Sequence, residues 1–343
     1  MKLVSYLDNR EERLGIFING KIYNVAENAH SMGLGILPDN IMDFLKMGEN
    51  AMEIAKAVDK KINDKNEGIQ HSSITEKNLL APIPHPTSCR DGYAFRQHVE
   101  AARRNRKVPM IQEFDQYPIF YFTNHNAING PGDIKCMPDH FEKLDFELES
   151  AIVIGKKGRN IKASEADSYI AGYLIMNDLS ARTLQMEEML LNLGPAKGKD
   201  FSTIIGPWLV TPDELEKYKT NPPSGHTGKT FDLEMKCMVN GKLVSQGNMK
   251  DMSWTFAEII ERASYGVDLL PGDVIGSGTV GTGCFLELNG TGLLNDPAYK
   301  TQWLQDGDIV EMEITGLGKL VNTIRKENTN YSILALKKVA EKI

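Results

Sequence analysis

Two glutamates lie one residue apart in an otherwise apolar segment, Glu147 and Glu149 in the run Phe-Glu-Leu-Glu. Residues i and i+2 of a β-strand face the same side, so the two carboxylates are predicted to share one face. Carboxylates that converge in this way avoid mutual repulsion by sharing a proton or by binding a cation. Because all of these candidate ligand atoms are oxygens, the pattern favours a hard cation, Mg²⁺, Ca²⁺ or Mn²⁺, over zinc.

A third acid, Asp178, stands at a predicted strand-to-helix turn. Asp178, Arg182 and Gln185 have the spacing i, i+4 and i+7, which predicts one stripe along a helix. Such a stripe would hold a carboxylated substrate beside a metal. Spacing alone leaves another interpretation open, in which the glutamates line a solvated sheet face, Asp178 caps the helix, and Asp178 and Arg182 form an ordinary surface pair.

A candidate general base, His98, lies in a predicted helix over 90–105, close after Asp91 and Tyr93. An imidazole has the basicity that proton transfer near neutral pH requires, but a lone histidine is more often a packing residue. It therefore needs an orienting partner. Glu287 is the candidate, because a charge between two leucines of a predicted strand favours a paired environment.

The glycine-rich run 276–281 matches the pattern G-x-G-x-x-G. In nucleotide sites this turn opens a helix whose amides meet a phosphate, whereas here the following residues are predicted to form a strand. A tight loop that brings Thr279 and backbone amides near a ligand fits better. Lys199, in another glycine-containing turn, is a candidate for stabilising an oxyanion, although a surface lysine is the default interpretation.

Strands outnumber helices and do not alternate with them, which predicts an α+β, strand-rich fold rather than a doubly wound parallel sheet. Asn19-Gly20 predicts a hairpin with a type I′ turn, and Asn240-Gly241 predicts a second hairpin. Residues 1–78, helical over 40–64, are predicted to form a small N-terminal domain that a polar stretch, 64–77, separates from a second domain over 79–343. The predicted strands are 117–123, 144–154, 169–177, 207–211, 230–247, 273–276, 283–289 and 309–320, and the predicted helices of this second domain are 90–105, 180–193 and 255–264.

Composition excludes several classes of partner. The 343-residue chain has a formal net charge of −7 with scattered basic residues, which argues against nucleic-acid and anionic-membrane binding. No apolar stretch approaches the roughly 20 residues of a membrane span, and the first residues lack the apolar core of a secretory signal, so we expect a cytoplasmic protein. The four cysteines are far apart, and we expect free thiols.

Five ordered motifs resemble those of the fumarylacetoacetate hydrolase family, and they span most of residues 80–320. The resemblance implies a mixed β-sandwich roll as the catalytic domain, preceded by a small N-terminal α/β domain, and it implies a homodimer. The motifs lie at 91–98, 146–149, 176–185, 198–201 and 276–279.

The resemblance also implies roles for single residues. Four carboxylates hold a divalent cation, Mg²⁺ or alternatively Ca²⁺ or Mn²⁺, and a histidine oriented by a glutamate is the general base. Further residues contact the substrate or its oxyanion. The matching positions are Asp91, Glu147, Glu149 and Asp178 for the metal; His98, Glu287 and Lys199 for catalysis; and Tyr93, Arg182, Gln185 and Thr279 for the substrate.

The activity expected from this resemblance is hydrolysis of a carbon–carbon bond in a 1,3-diketo or acylpyruvate-type acid, with the metal stabilising an enolate. The alternative within the family is a metal-dependent decarboxylase or dehydratase of a 2-oxo acid, such as oxaloacetate or a sugar acid. His98 favours hydrolysis, because relatives that decarboxylate tend to lack this histidine. A non-catalytic binding module is disfavoured by the complete set of base, orienting acid and lysine.

Overall fold

Two β-sheets organise the chain in the computed structural model, which describes residues 1–65, 71 and 78–338. Within these residues the larger sheet has ten strands and the smaller has five. The strands are β1 (Lys2–Asp8), β2 (Glu11–Ile18), β3 (Lys21–Asn24), β4 (Cys89–Gly92), β5 (Phe120–Thr123), β6 (Ile128–Asn129), β7 (Gly132–Cys136), β8 (Leu144–Asp145), β9 (Leu148–Ile154), β10 (Gly158–Arg159), β11 (Ile170–Asp178), β12 (Ser180–Ala181), β13 (Thr203–Val210), β14 (Lys219–Thr220), β15 (Thr230–Phe231), β16 (Glu234–Val239), β17 (Lys242–Asn248), β18 (Asp268–Leu269), β19 (Val274–Gly276), β20 (Ile309–Ile314) and β21 (Gly318–Lys326).

The described residues form eight α-helices. They are α1 (Val25–Ser31), α2 (Ile41–Met47), α3 (Glu49–Lys65), α4 (Arg96–Asn105), α5 (Ala163–Ala166), α6 (Arg182–Met189), α7 (Phe256–Ser264) and α8 (Phe285–Asn295).

The larger sheet runs in the order β3-β2-β1-β13-β11-β9-β19-β4-β5, with β6 beside β13, and the smaller in the order β17-β16-β20-β21-β7. Every residue of β9 and β11 is buried. Ile152 and Ile154 of β9 belong to the core shared with the smaller sheet, whereas Ala151 and Val153 belong to the core shared with α1, α2 and α3. The alternation follows from the two-residue repeat of a strand covered on both faces. The fold is therefore a strand-rich α+β sandwich, as predicted.

The N-terminal strands extend the larger sheet. β1 pairs antiparallel with β13, with Leu3 opposite Leu209, so residues 1–24 share hydrogen bonds with the rest of the chain. Most of the predicted separating stretch, 64–77, lies outside the described residues. The division at residue 78 stays a prediction.

Both hairpin turns are confirmed. Asn19 and Gly20 have φ of 50° and 77° between β2 and β3, and Asn240 and Gly241 have φ of 52° and 74° between β16 and β17. Two successive positive φ angles define the type I′ turn, which asparagine and glycine adopt most readily. The four cysteines, all within the described part of the chain, are free and buried.

Two secondary-structure predictions near the candidate site are wrong. The segment 283–289 is not a strand, because α8 begins at Phe285 after an N-cap at Cys284. A short apolar run of this kind does not distinguish a strand from a buried helix. The predicted helix over 90–105 begins only at Arg96, since Cys89–Gly92 form β4, which pairs with β19 and β5.

Asp178 was predicted to lie on the same helix as Arg182 and Gln185, and this prediction is wrong. This residue ends β11, and α6 begins four residues later at Arg182, with Ala181 at the N-cap. Asp178 therefore does not cap the helix. Within the described residues, no helix combines the length and the apolar character needed to cross a bilayer.

A buried histidine, His140, makes the fold sensitive to acid. Its ring lies 3.9 Å from the ring of Phe201, and its Nδ1 accepts a hydrogen bond from the amide of Met137. Burial, reinforced by the ammonium of Lys197, lowers the pKa of His140 to about 4. The unfolded chain takes up this proton near pH 6.5, so stability is complete above that pH and falls between pH 6.5 and 4.

We expect His140→Asn, which keeps an acceptor for the Met137 amide, to remove this part of the acid sensitivity. Between pH 7.5 and 4.5 the wild-type protein should lose about 2 kcal/mol more free energy of unfolding than the variant. Urea unfolding at the two pH values, with EDTA throughout, measures the difference. Equal losses in the two proteins would show that His140 does not titrate in this window.

Candidate active site

Four carboxylates converge at the centre of the larger sheet. One oxygen from each lies within 4.8 Å of those of the other three, and no residue of the set is more than 6% exposed. The strand order β11-β9-β19-β4 brings them together from distant parts of the chain. The set consists of Asp91 on β4, Glu147 just before β9, Glu149 on β9 and Asp178 at the end of β11.

A glycine between the strands allows this convergence. Gly276 of β19 is paired with Asp91 on one side and with Ala151 of β9 on the other. A Cβ atom at this position would lie 2.4 Å from Oδ1 of Asp91 and 3.0 Å from Oε2 of Glu149. A side chain at position 276 would occupy the space in which these two carboxylates meet. Glycine leaves that space open, so Asp91 and Glu149 approach each other across β19.

The glycine-rich loop that follows β19 contacts the same carboxylates. The amide of Gly278, whose φ of 79° suits glycine, donates to Oδ1 of Asp91 and to Oε2 of Glu149, at 3.1 Å each. Thr279 donates its hydroxyl to Glu149 at 3.4 Å. A helix, α8, follows this loop where a strand was predicted, so the absence of a helix does not exclude a nucleotide. The loop nevertheless presents its amide to carboxylates rather than to a phosphate.

Two buried cations face Glu147. The ammonium of Lys199 donates to Glu147 and, at 2.6 Å, to Asp178, so Lys199 is not a surface lysine. Arg182 donates to Glu147, Asp145 and Gln185 at 2.8, 2.8 and 2.9 Å. Burial opposes ionisation of Glu147, but Lys199 and Arg182 outweigh it and hold the pKa of this carboxyl below its usual range. The substrate contacts predicted for Arg182 and Gln185 stay predictions, since the two side chains bind each other here.

Asp91 and Glu149 have too little positive charge nearby to offset the burial of their own carboxylates. Burial, together with Asp178, raises the pKa of Asp91 to about 7, and burial together with Asp91 raises the pKa of Glu149 well above its usual range. Asp178 Oδ1 is buried and has no hydrogen-bond partner within the described residues. With Asp145 included, five buried carboxyl groups face two buried cations, Lys199 and Arg182, so ionisation of all five would leave three negative charges uncompensated.

This donor set fits a divalent cation. Hard cations take oxygen ligands, and a cation relieves the repulsion that otherwise keeps these carboxyls protonated. The unpartnered Oδ1 of Asp178 provides one ligand atom in this buried site. Asp91 Oδ1 and Glu149 Oε2, which both accept from the amide of Gly278, provide two more. Which cation binds stays a prediction.

The histidine and its predicted partner are together. Nδ1 of His98, on α4, lies 2.5 Å from Oε2 of Glu287, whose other oxygen accepts from the amide of Thr282. A ring nitrogen of His98 also lies within 4.8 Å of a Glu147 oxygen, so the pair borders the acidic cluster. Because Glu287 engages Nδ1, Nε2 is the nitrogen left for proton transfer. The predicted pairing is confirmed, and the catalytic role stays a prediction.

Two aromatic rings border the site. Tyr93 packs edge-on against His98, with ring centroids 6.0 Å apart, and Tyr121 of β5 donates its hydroxyl to Asp178. The pairing of Asp91 with Tyr121 between β4 and β5 places it beside the acidic cluster.

Asp145 is a buried acid that the sequence analysis missed. It accepts hydrogen bonds from Arg182 and from the first two amides of α8, those of Phe285 at 2.7 Å and Leu286 at 2.9 Å. Asp145 thus joins the cation beside Glu147 to the helix that carries Glu287. The alternation of acids at 145, 147 and 149 was the available signal, because it predicts one more carboxylate on the same face.

We expect Asp145→Ala to lower the free energy of unfolding by about 3 kcal/mol, because it removes the acceptor of a buried guanidinium and of two amides at a helix N-terminus and leaves these donors unsatisfied. Asp133→Ala is the matched control, since Asp133 pairs with Arg325 on an exposed surface and should cost less than about 1 kcal/mol. Urea unfolding in EDTA measures both. Similar losses for the two variants would contradict the role assigned to Asp145.

Comparison with known proteins agrees with this architecture. The family model described as fumarylacetoacetate (FAA) hydrolase C-terminal matches residues 87–325. A solved structure of fumarylacetoacetate hydrolase from Exiguobacterium antarcticum superposes with a TM-score of 0.64, covering 95% of this chain and all of that one at 23% identity, which shows the shared fold.

Two curated relatives match over most of their length. A mitochondrial oxaloacetate tautomerase of Xenopus laevis is 32% identical over 334 residues, which cover 94% of this chain and 90% of that protein. One of Rattus norvegicus is 31% identical over 295 residues, covering 84% and 80%. These names place the two relatives in mitochondria and give no support to the cytoplasmic expectation. With the family model spanning most of the chain, the protein belongs to the fumarylacetoacetate hydrolase family, whose members are enzymes.

Proposed function

We propose that this enzyme interconverts the keto and enol forms of oxaloacetate or a closely similar 2-oxo dicarboxylic acid, with a divalent cation as cofactor. The choice of substrate rests on the relatives from Xenopus laevis and Rattus norvegicus, which are named for this reaction. They favour the 2-oxo acid alternative over diketone hydrolysis. A decarboxylase, a dehydratase and a tautomerase of such acids all need an enolate to be stabilised.

The observation that carries the proposal is a buried set of four carboxylates with an oriented imidazole at its edge. Asp91, Glu147, Glu149 and Asp178 would hold the cation. When bound, the cation supplies positive charge that stabilises negative charge on the 2-oxygen of the substrate and so acidifies the protons at C3.

The proton transfers are assigned to this chain's own side chains. His98 removes a proton from C3 through Nε2, the C–H electron pair forms the C2–C3 double bond, and the 2-oxygen takes up a proton from solvent. Glu287 holds the ring by its Nδ1 edge and stabilises the imidazolium that forms. Lys199, buried beside Glu147 and Asp178, is the nearby donor for negative charge on the 2-oxygen.

A second candidate is hydrolysis of an acylpyruvate-type acid, and the same His98–Glu287 pair favours it. An imidazole oriented by a carboxylate can take a proton from water as readily as from carbon. The two candidates use one site and differ in whether a water reaches the substrate carbonyl.

Three assays on one preparation distinguish these activities. Decay of the ultraviolet absorbance of enol oxaloacetate reports tautomerisation, release of pyruvate from oxaloacetate reports decarboxylation, and loss of acylpyruvate absorbance reports hydrolysis. Each is run with Mg²⁺, with EDTA and without protein, since free Mg²⁺ also acts on oxaloacetate. We expect Mg²⁺-dependent tautomerisation to be the fastest. Faster acylpyruvate cleavage would favour the second candidate, and no activity on either substrate class would contradict both.

A further inference from the structure

One buried thiol beside the site has no part in the proposed reaction. The Sγ atom of Cys284, a ring nitrogen of His98 and a carboxylate oxygen of Glu147 all lie within 4.8 Å of one another. The three residues are 0%, 8% and 6% exposed. They offer sulfur, nitrogen and oxygen, a different ligand set from the four carboxylates.

We propose that Cys284, His98 and Glu147 form a second, inhibitory metal site that is selective for Zn²⁺. It lies next to the hard-cation site and shares Glu147 with it. Thiolate, imidazole and carboxylate are the three ligand types that zinc prefers, and three protein ligands leave a fourth position for water or substrate.

The distances suit a zinc ion with small side-chain adjustments. For Zn–S near 2.3 Å, Zn–N and Zn–O near 2.0 Å and a tetrahedral angle, the sulfur and nitrogen would stand about 3.5 Å apart and the nitrogen and oxygen about 3.3 Å apart. The observed limit of 4.8 Å requires the ligand atoms to approach by at most about 1.5 Å. Side-chain rotations of this size leave the backbone in place.

Neighbouring contacts already orient two of the ligands. Glu287 engages Nδ1 of His98 at 2.5 Å, which is the carboxylate–histidine arrangement that zinc sites use to aim the other ring nitrogen at the metal. Cys284 is the N-cap of α8, and its sulfur accepts from the amide of Glu287 at 3.4 Å. The thiol therefore has a fixed position, and Glu287 contacts both ligands.

The sulfur of Cys284 explains the selectivity. Zinc bonds strongly to thiolate, whereas Mg²⁺ gains little from a sulfur ligand. Zinc in this position would take up the lone pair of His98 that accepts the C3 proton. Inhibition, unlike binding, therefore rests on the role proposed for His98.

The test uses the full-length enzyme saturated with Mg²⁺. Zn²⁺ binding is measured by competition with a chromophoric chelator, and inhibition is measured as the loss of enol oxaloacetate turnover when Zn²⁺ is added. Co²⁺ is added in a parallel experiment as a spectroscopic probe for thiolate coordination. Cys284→Ser keeps an N-cap oxygen and loses the thiolate. Cys136→Ser is the matched control, because Cys136 is equally buried but lies on β7, outside the site.

We expect one zinc ion per chain, a thiolate-to-Co²⁺ charge-transfer band, and at least about tenfold weaker zinc binding in Cys284→Ser, with wild-type behaviour in Cys136→Ser. Absence of the thiolate band in the wild-type protein, or unchanged zinc affinity in Cys284→Ser, would overturn the site. Binding with the thiolate band but without inhibition would uphold the site and contradict the base role of His98.

Discussion

Glu149→Gln is expected to lower the affinity for divalent metal by about 100-fold or more and to abolish metal-dependent activity. Glu149 is fully buried among the four carboxylates, and glutamine has nearly its shape without its charge. Loss of an inner ligand should exceed the 10- to 100-fold effects typical of outer-shell changes at metal sites. Calorimetric titration of Mg²⁺ into metal-stripped protein measures the affinity.

The same variant should be more stable than the wild-type protein in EDTA. The pKa of Glu149 is raised well above its usual range, so at neutral pH its ionisation favours the unfolded chain. Removing that group should therefore raise the free energy of unfolding. A mere folding defect would change stability in the opposite direction. Glu142→Gln, at an exposed position seven residues earlier, is the control and should change neither quantity.

His98→Asn is expected to lower kcat by about 10²- to 10⁴-fold while leaving metal affinity within about threefold of the wild-type value. Asparagine keeps a polar atom near the position of Nδ1 and removes Nε2, so the contact with Glu287 is partly preserved and the base is lost. The measurement is the rate of enol oxaloacetate decay at saturating Mg²⁺, across pH.

Two companion variants make this prediction specific. His140→Asn replaces another buried histidine outside the site and should retain full activity at neutral pH. Glu287→Gln keeps a hydrogen-bond partner for His98 but removes its charge, and it should lower kcat by about 10²-fold. If His98→Asn kept the wild-type rate, a different group would be the base.

Sequence alone located much of this site. The alternation at Glu147 and Glu149 predicted one shared face, and the structure places both carboxylates in one cluster. The asparagine–glycine turns were predicted correctly because two positive φ angles are a local requirement. The residues alone also indicated Asp178 as a third acid and Glu287 as the partner of His98, and the resemblance to a known family added Asp91.

Other features depend on contacts that local patterns do not encode. Glu287 and His98 are 189 residues apart, and Lys199 and Glu147 are 52 apart. Their meeting follows from the strand order of the larger sheet. Asp178 was assigned to the helix because spacing alone does not show where β11 ends.

The role of Gly276 illustrates the same limit. The glycine pattern was visible, but its reason is steric: the position lies between two strands whose carboxylates must meet across it. Only the paired register shows that a Cβ atom would collide with Asp91.

The sequence analysis and the comparison with curated relatives favour different activities. The histidine favoured hydrolysis, whereas the curated relatives favour a reaction of oxaloacetate that needs no water. Both mechanisms require the same buried cation site and the same base. The homodimer, the compartment and the division at residue 78 stay predictions.

The central claim is that four buried carboxylates hold a cation without which the 2-oxo acid is not turned over. The most direct test strips the protein with EDTA, removes the chelator, and follows the decay of enol oxaloacetate as Mg²⁺ is added back, with the protein-free rate subtracted. We expect the stripped enzyme to be inactive, the rate to recover in step with Mg²⁺ binding, and Glu149→Gln not to recover. A stripped enzyme that kept the full rate would contradict the account.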